Sequence, residues 1–133
     1  MTSASSVDQA LSQRVHGLVK AYVYRKSESK SGMKWDDFKN QKVKDESTGK
    51  ERINVPKKYR EVREKVCRDA FLRLRACKAK EDFVSYFTGT ICSVPQYLPE
   101  AEYQTVADAI LTDERWEEVK ALTMLALSGL SNV

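Results

Sequence analysis

Glycine is scarce in this chain, and so are the residues that carry most enzyme chemistry. Five glycines stand singly along 133 residues, so there is no glycine loop of the kind that cradles phosphates. The one histidine, His16, sits beside Gly17 with no acid close by in the sequence. It reads as a surface or partly buried side chain rather than as half of a Cys–His nucleophile pair. Cys67, Cys77 and Cys92 are odd in number and lack CxxC spacing. They are expected to be buried small hydrophobes, not disulfide partners or zinc ligands. Asp36 and Asp37 lie on a loop among lysines, poor company for a metal that needs converging oxygens. No catalysis, cofactor or metal is expected.

Long apolar runs are missing as well. The longest lies near "ALTMLAL", far short of the roughly 20 residues that a bilayer demands. The opening "MTSASSVDQA" is polar and lacks the apolar core of a signal peptide. No membrane partner is expected, and the cytoplasm is the default location. At this length the chain is read as one domain, residues 1–133, large enough to bury a real core.

Basic charge is nearly absent from one half. From Glu81 to Val133 only Arg115 and Lys120 stand against nine acidic residues. Pro56 to Lys80 is the reverse, with ten basic residues against three acidic. The overall net charge of +4 hides this polarity, which suggests a polyanion on one side and something else on the other.

What is present is helical periodicity. Ser6 and Gln9 fit a capping box. Val7, Leu11, Val15, Leu18 and Tyr22 then form one stripe of an amphipathic helix, running to about Lys30 and stopped by Gly32 in the left-handed region. Residues 1–5 are expected to be a disordered tail. Residues 31–55 are polar and lysine-rich, with Trp35 and Phe38 as local anchors. They are expected to form a mobile basic loop, with a weak hairpin as the alternative. Pro56 suits the first turn of a second helix, in which Tyr59, Val62, Val66, Ala70, Leu74 and Cys77 share a side. Glu61–Lys65 and Glu64–Arg68 are expected to pair across one turn. Arg63, Arg73 and Lys80 fall at or near the apolar side, where a charge must snorkel, meet a carboxylate or face a partner.

Three further helices follow. One carries Phe83, Val84, Phe87 and Ile91 and ends before Pro95. The next opens at Pro99, with Tyr103, Val106, Ala107, Ile110 and Leu111 inside. The last is capped by Thr112 or Asp113 and holds Trp116, Val119, Leu122, Thr123 and Ala126, up to Gly129. The fold class is all-α, a compact bundle of about five helices with a long polar loop between the first and second.

A charge run on a helix is ordinarily a solvated face. Here the concentration in one helix, with more lysines before it, argues for a polyanion partner. Nothing resembles a base-reading helix-turn-helix, so contacts would go to phosphates. The candidates for nucleic-acid binding are Arg25, Lys26, Lys30, Lys34, Lys57, Lys58, Arg60, Lys65, Arg68, Arg75 and Lys78. They are chosen from the charge pattern alone.

The stretch "FLRLRACKAKEDFVSYFTGTICSVPQYLPEAEY", with "REVREKVCRDAFLRLR" leading into it and "WEEVKALTMLALS" after it, resembles the C-terminal region of the large subunit in type I CRISPR Cascade complexes of the B subtype. The resemblance extends over nearly the whole chain and is most specific in "DFVSYFTGTICSVPQYL". It implies a helical bundle equivalent to the Cascade small subunit, which can be made by internal translation; a chain of this length starting at Met1 looks like such a product. It further implies several copies along the complex, contacting the backbone and large subunits, the target DNA and crRNA, and holding strands in the open R-loop. Two other readings stand beside it: a purely protein-bridging assembly subunit, and a stand-alone helical binder of duplex DNA.

Overall fold

The computed structural model describes residues 3–92 and 100–131, and the side chains of these residues apart from 3–8 and 100–105. Helix α1 spans Ser3–Ser31. The stripe expected from the spacing is its buried face: Leu11, Val15, Leu18 and Tyr22 are in the core, joined by Val19 and Val23. The helix starts three residues ahead of the capping box, so Ser6 lies within it and the expected tail is helical from Ser3. No glycine or proline in "SASS" opposes this. The C-terminal end follows expectation. Gly32 adopts φ +72° and its N–H donates to the Glu28 carbonyl at 2.9 Å, a left-handed cap that a β-carbon would strain.

The segment 31–55 takes the hairpin alternative. A 3₁₀ turn, Trp35–Asp37, precedes two antiparallel strands, β1 (Lys42–Lys44) and β2 (Glu51–Ile53), with Val43 opposite Arg52. The turn between them is built by side chains. The Asp45 carboxylate accepts the Ser47 N–H at 2.9 Å and the Ser47 hydroxyl at 2.7 Å, and Gly49 takes φ +73°. The strands are short and almost wholly exposed, which is why alternation gave no signal for them. Trp35 and Phe38 do anchor the segment, stacking between Tyr24 of α1 and Tyr59 at centroid separations of 5.0–6.0 Å.

Helix α2 spans Lys57–Arg75, with Pro56 as its N-cap rather than its first residue. Tyr59, Val66, Ala70 and Leu74 are buried, Cys77 follows them into the core, and Val62 is half-buried. The helix runs antiparallel to α1: Tyr24 lies by Arg63, while Tyr22, two residues earlier, lies by Cys67 and Asp69. Helix α3 (Lys80–Tyr86) widens into a π turn over Phe87–Ile91, burying Phe83, Phe87 and Ile91. The Tyr22 and Tyr86 side chains lie close to each other, where α3 meets α1.

Helix α4 spans Glu100–Leu111 and α5 spans Trp116–Ser131. Val106 and Ile110 are buried as expected, Ala107 is half-buried, and Ala109 takes a core place; Leu111 points outward, 62% exposed. The expectations for Val7 and Tyr103 concern side chains outside those described, and Pro95 and Pro99 lie outside the described residues. Neither proposed cap of α5 serves as one. The Thr112 hydroxyl donates back to the Asp108 carbonyl at 3.0 Å, and Asp113 is held by Lys80. Helix α5 continues past Gly129, where open space surrounds the missing β-carbon. Val119, Thr123 and Ala126 are buried on it, whereas Trp116 and Leu122 are only half-buried at the edge of the core.

Among the described residues the fold is thus mostly α, five helices with one small two-stranded sheet. Helices α1, α2 and α5 pack closest together. No helix among the described residues is long and apolar enough to cross a membrane. All three cysteines are free and buried.

Two outcomes follow from this core. Phe87→Ala is expected to cost about 3–5 kcal/mol; a denaturant melt showing less than about 1 kcal/mol would move α3 out of the core. Burial also pushes the Cys67 thiol up to about 11, the Cys92 thiol to about 12 and the Tyr59 phenol to about 12. Folding holds these protons more tightly than the unfolded chain does, where a thiol titrates near 9 and a phenol near 10. Their contribution is therefore complete below about pH 9 and lost as pH rises toward 11–12. Denaturation midpoints should fall steadily over that window, and a flat profile would mean that these groups are solvated.

Candidate nucleic-acid interface

Because one side of α2 is turned to α1 and α5, its charges collect on the other. Lys57, Lys58, Lys65, Arg68 and Arg75 lie on that outward side and are all exposed, as a helix of 100° per residue requires once Val66, Ala70 and Leu74 face inward. The expected pairs Glu61–Lys65 and Glu64–Arg68 are not formed. Glu61 instead approaches Lys57 at 3.8 Å with both side chains well exposed, a contact worth little in water. Lys65, Arg68 and Arg75 thus present their charge to solvent with no carboxylate within ion-pair distance among the described residues.

The other candidates are exposed too, but they are not all one row. Arg60 turns to one flank of α2, toward the hairpin. Lys78 sits in the turn beyond α2, lining a groove with Trp116, Glu117 and Lys120. Arg25, Lys26 and Lys30 occupy the last turns of α1. Arg25 and Lys34 line a shallow cleft with Glu28, whose carboxylate accepts the Trp35 N–H at 2.8 Å. The aromatic stack from Tyr24 through Trp35 to Tyr59 places this end of α1 next to the start of α2.

The three charges at the apolar side behave differently from one another. Arg73 meets Asp82 with both terminal nitrogens, at 2.7 and 3.3 Å, and covers the Tyr86 ring at 5.2 Å. That guanidinium holds the Asp82 carboxyl below its ordinary range. Lys80 pairs with Asp113, whose carboxyl is likewise lowered by the lysine. In return Lys120 of α5 donates to the Cys77 carbonyl at 2.6 Å, holding the turn just beyond the end of the basic helix. The acidic half therefore supplies counter-charges to the basic segment Pro56–Lys80, in addition to any it offers to neighbours.

Arg63 has no such counter-charge. It is wholly buried, and among the described residues Nε, Nη1 and Nη2 all lack a hydrogen-bond partner, as do the Tyr59 hydroxyl and the Ser27 hydroxyl. Its guanidinium lies 5.9 Å from the Tyr59 ring centre. It floors a cleft of about 480 Å³ lined by Trp35, Arg52, Ile53, Val55, Arg60, Glu64 and Ser131. Sequence spacing marked Arg63 as facing inward, but nothing in the spacing showed that the hairpin would bring Arg52 to the same place. His16 is exposed on α1.

With this geometry in view, the family comparison is specific. The family model of the type I-B CRISPR Cas8b C-terminal domain matches residues 1–130, so the chain belongs to that family. It is a subunit component of a CRISPR Cascade complex, in agreement with the resemblance seen in the sequence. No curated protein and no solved structure matches the chain.

The Arg73–Asp82 pair gives an expected outcome for this region. Arg73→Ala should lower thermal stability while leaving affinity for single-stranded DNA nearly unchanged, because the group is engaged within the fold. A variant that keeps its melting temperature but loses DNA affinity would reassign Arg73 to the interface.

Proposed function

We propose that this chain is a non-catalytic element of the Cascade effector that grips nucleic-acid backbone without reading sequence, and so stabilises the R-loop and the assembled complex. The observation that carries this reading is the outward face of α2, where Lys65, Arg68 and Arg75 stand exposed without ion-pair partners among the described residues. R-loop formation exchanges one duplex for another of similar stability, so backbone contacts tip the balance. A strand whose sequence changes with every guide is suited by a basic surface that makes no base-specific demands. Target DNA is the principal ligand in this reading and crRNA a further one.

The opposite half supports protein contact. Leu111 at the end of α4 and Leu125 on α5, both in the acid-rich half, are 62% and 69% exposed, apolar side chains suited to contact with the backbone and large subunits or with another copy of the chain. The complex would act in the cytoplasm.

Reversing Lys65, Arg68 and Arg75 to Glu is expected to weaken binding to every single-stranded sequence alike. The log–log salt slope should shrink by about 0.7 for each lost phosphate contact, while the helical signal and melting temperature stay nearly constant. If binding and slope are unchanged, the face is solvated or protein-facing, and the chain bridges proteins only. A strong preference for duplex over single strands would point instead to a stand-alone duplex binder.

A further inference from the structure

Arg63 is a charge without a counter-charge. A guanidinium removed from water ordinarily meets a carboxylate or several acceptors, yet among the described residues none of its three nitrogens has one. Two acids of these surroundings do not serve it. Glu28 is committed to the Trp35 N–H, and Glu64 is exposed at the rim of the cleft. Tyr59, Tyr24 and Cys67, which also face it, are neutral. Two more cations, Arg52 and Arg60, stand on the same cleft, with the half-buried Trp35 ring and the apolar side chains of Ile53 and Val55.

We propose that this cleft takes one nucleotide of a single strand, its phosphate reaching Arg63, Arg60 and Arg52 and its base lying against Trp35, Ile53 and Val55. The proposal rests on the nucleic-acid reading above and adds to it a defined subsite, distinct from the outward face of α2. An acceptor with several oxygens fits a planar fork of donors. An aromatic ring beside arginines is the set that single-strand sites use to hold bases of any identity. A carboxylate from an acidic peptide would meet the arginines but leave the Trp35, Ile53 and Val55 wall without an occupant. The cleft has a wall that can yield, because the hairpin bearing Arg52 and Ile53 packs only sparsely on the helices. Its displacement opens the path to Arg63.

The test begins with the wild-type 133-residue chain and an oligonucleotide carrying 4-thiothymidine. Irradiation should give an adduct at Trp35 or within residues 52–63, and adducts confined to other parts of the chain would overturn the proposal. Arg63→Met should weaken single-strand binding about tenfold and abolish the change in Trp35 fluorescence, read in a Trp116→Phe background, while the melting midpoint stays level or rises. If Arg63→Met leaves affinity and fluorescence untouched while the Lys65, Arg68 and Arg75 reversal still removes binding, the subsite is wrong and the wider reading survives. If no oligonucleotide binds at all, both fall together. Quenching of Trp35 by an oligo-glutamate peptide but not by DNA would give the cleft to a protein segment and overturn the proposal. Should Arg63→Met fail to fold, the crosslink on the unaltered chain decides.

Discussion

Everything in this domain follows from how α2 is held. Its inward stripe packs against both α1 and α5, so only one side of a helix with eight Lys or Arg among nineteen residues is left for those charges. Apolar burial sets the orientation and the charges have no alternative. The two cations near the boundary are stitched to the acidic half through Asp82 and Asp113, and Lys120 reaches back to hold the turn just beyond α2. Charge segregation along the sequence thus has two consequences. It makes an internal seam, and it leaves a basic surface that the seam does not neutralise.

The helices could be read from the sequence because their burial is periodic. The stripe from Leu11 to Tyr22 and that from Tyr59 to Cys77 repeat every three or four residues, and each repeat except the half-buried Val62 is a core position. Boundaries were less legible where several partners competed for the same group. Thr112 and Asp113 have the chemistry of caps, yet one bonds backward and the other is captured by Lys80, which lies 33 residues away in sequence. Pairing at one turn's spacing was equally poor evidence: Glu61 chose Lys57, and the difference in energy between such exposed options is small.

The candidate surface was half legible. Exposure of the eleven cations follows from periodicity, and all of them are exposed. What the sequence could not supply was the relation between distant segments. The hairpin strands bury almost nothing, so they carry no pattern, yet their position brings Arg52 and Ile53 over Arg63. An inward-facing arginine was visible as a tension to be resolved; that its resolution lies in a cleft rather than in a carboxylate required the folded chain.

The most direct measurement of the central claim is amide chemical-shift mapping of the labelled chain during titration with single-stranded DNA. The account predicts shifts along the outward face of α2, at the end of α1 and around Trp35, Arg52 and the cleft-lining Ser131, with α4 and the rest of α5 unchanged. Shifts concentrated on α4 and α5, or none at low salt, would contradict it.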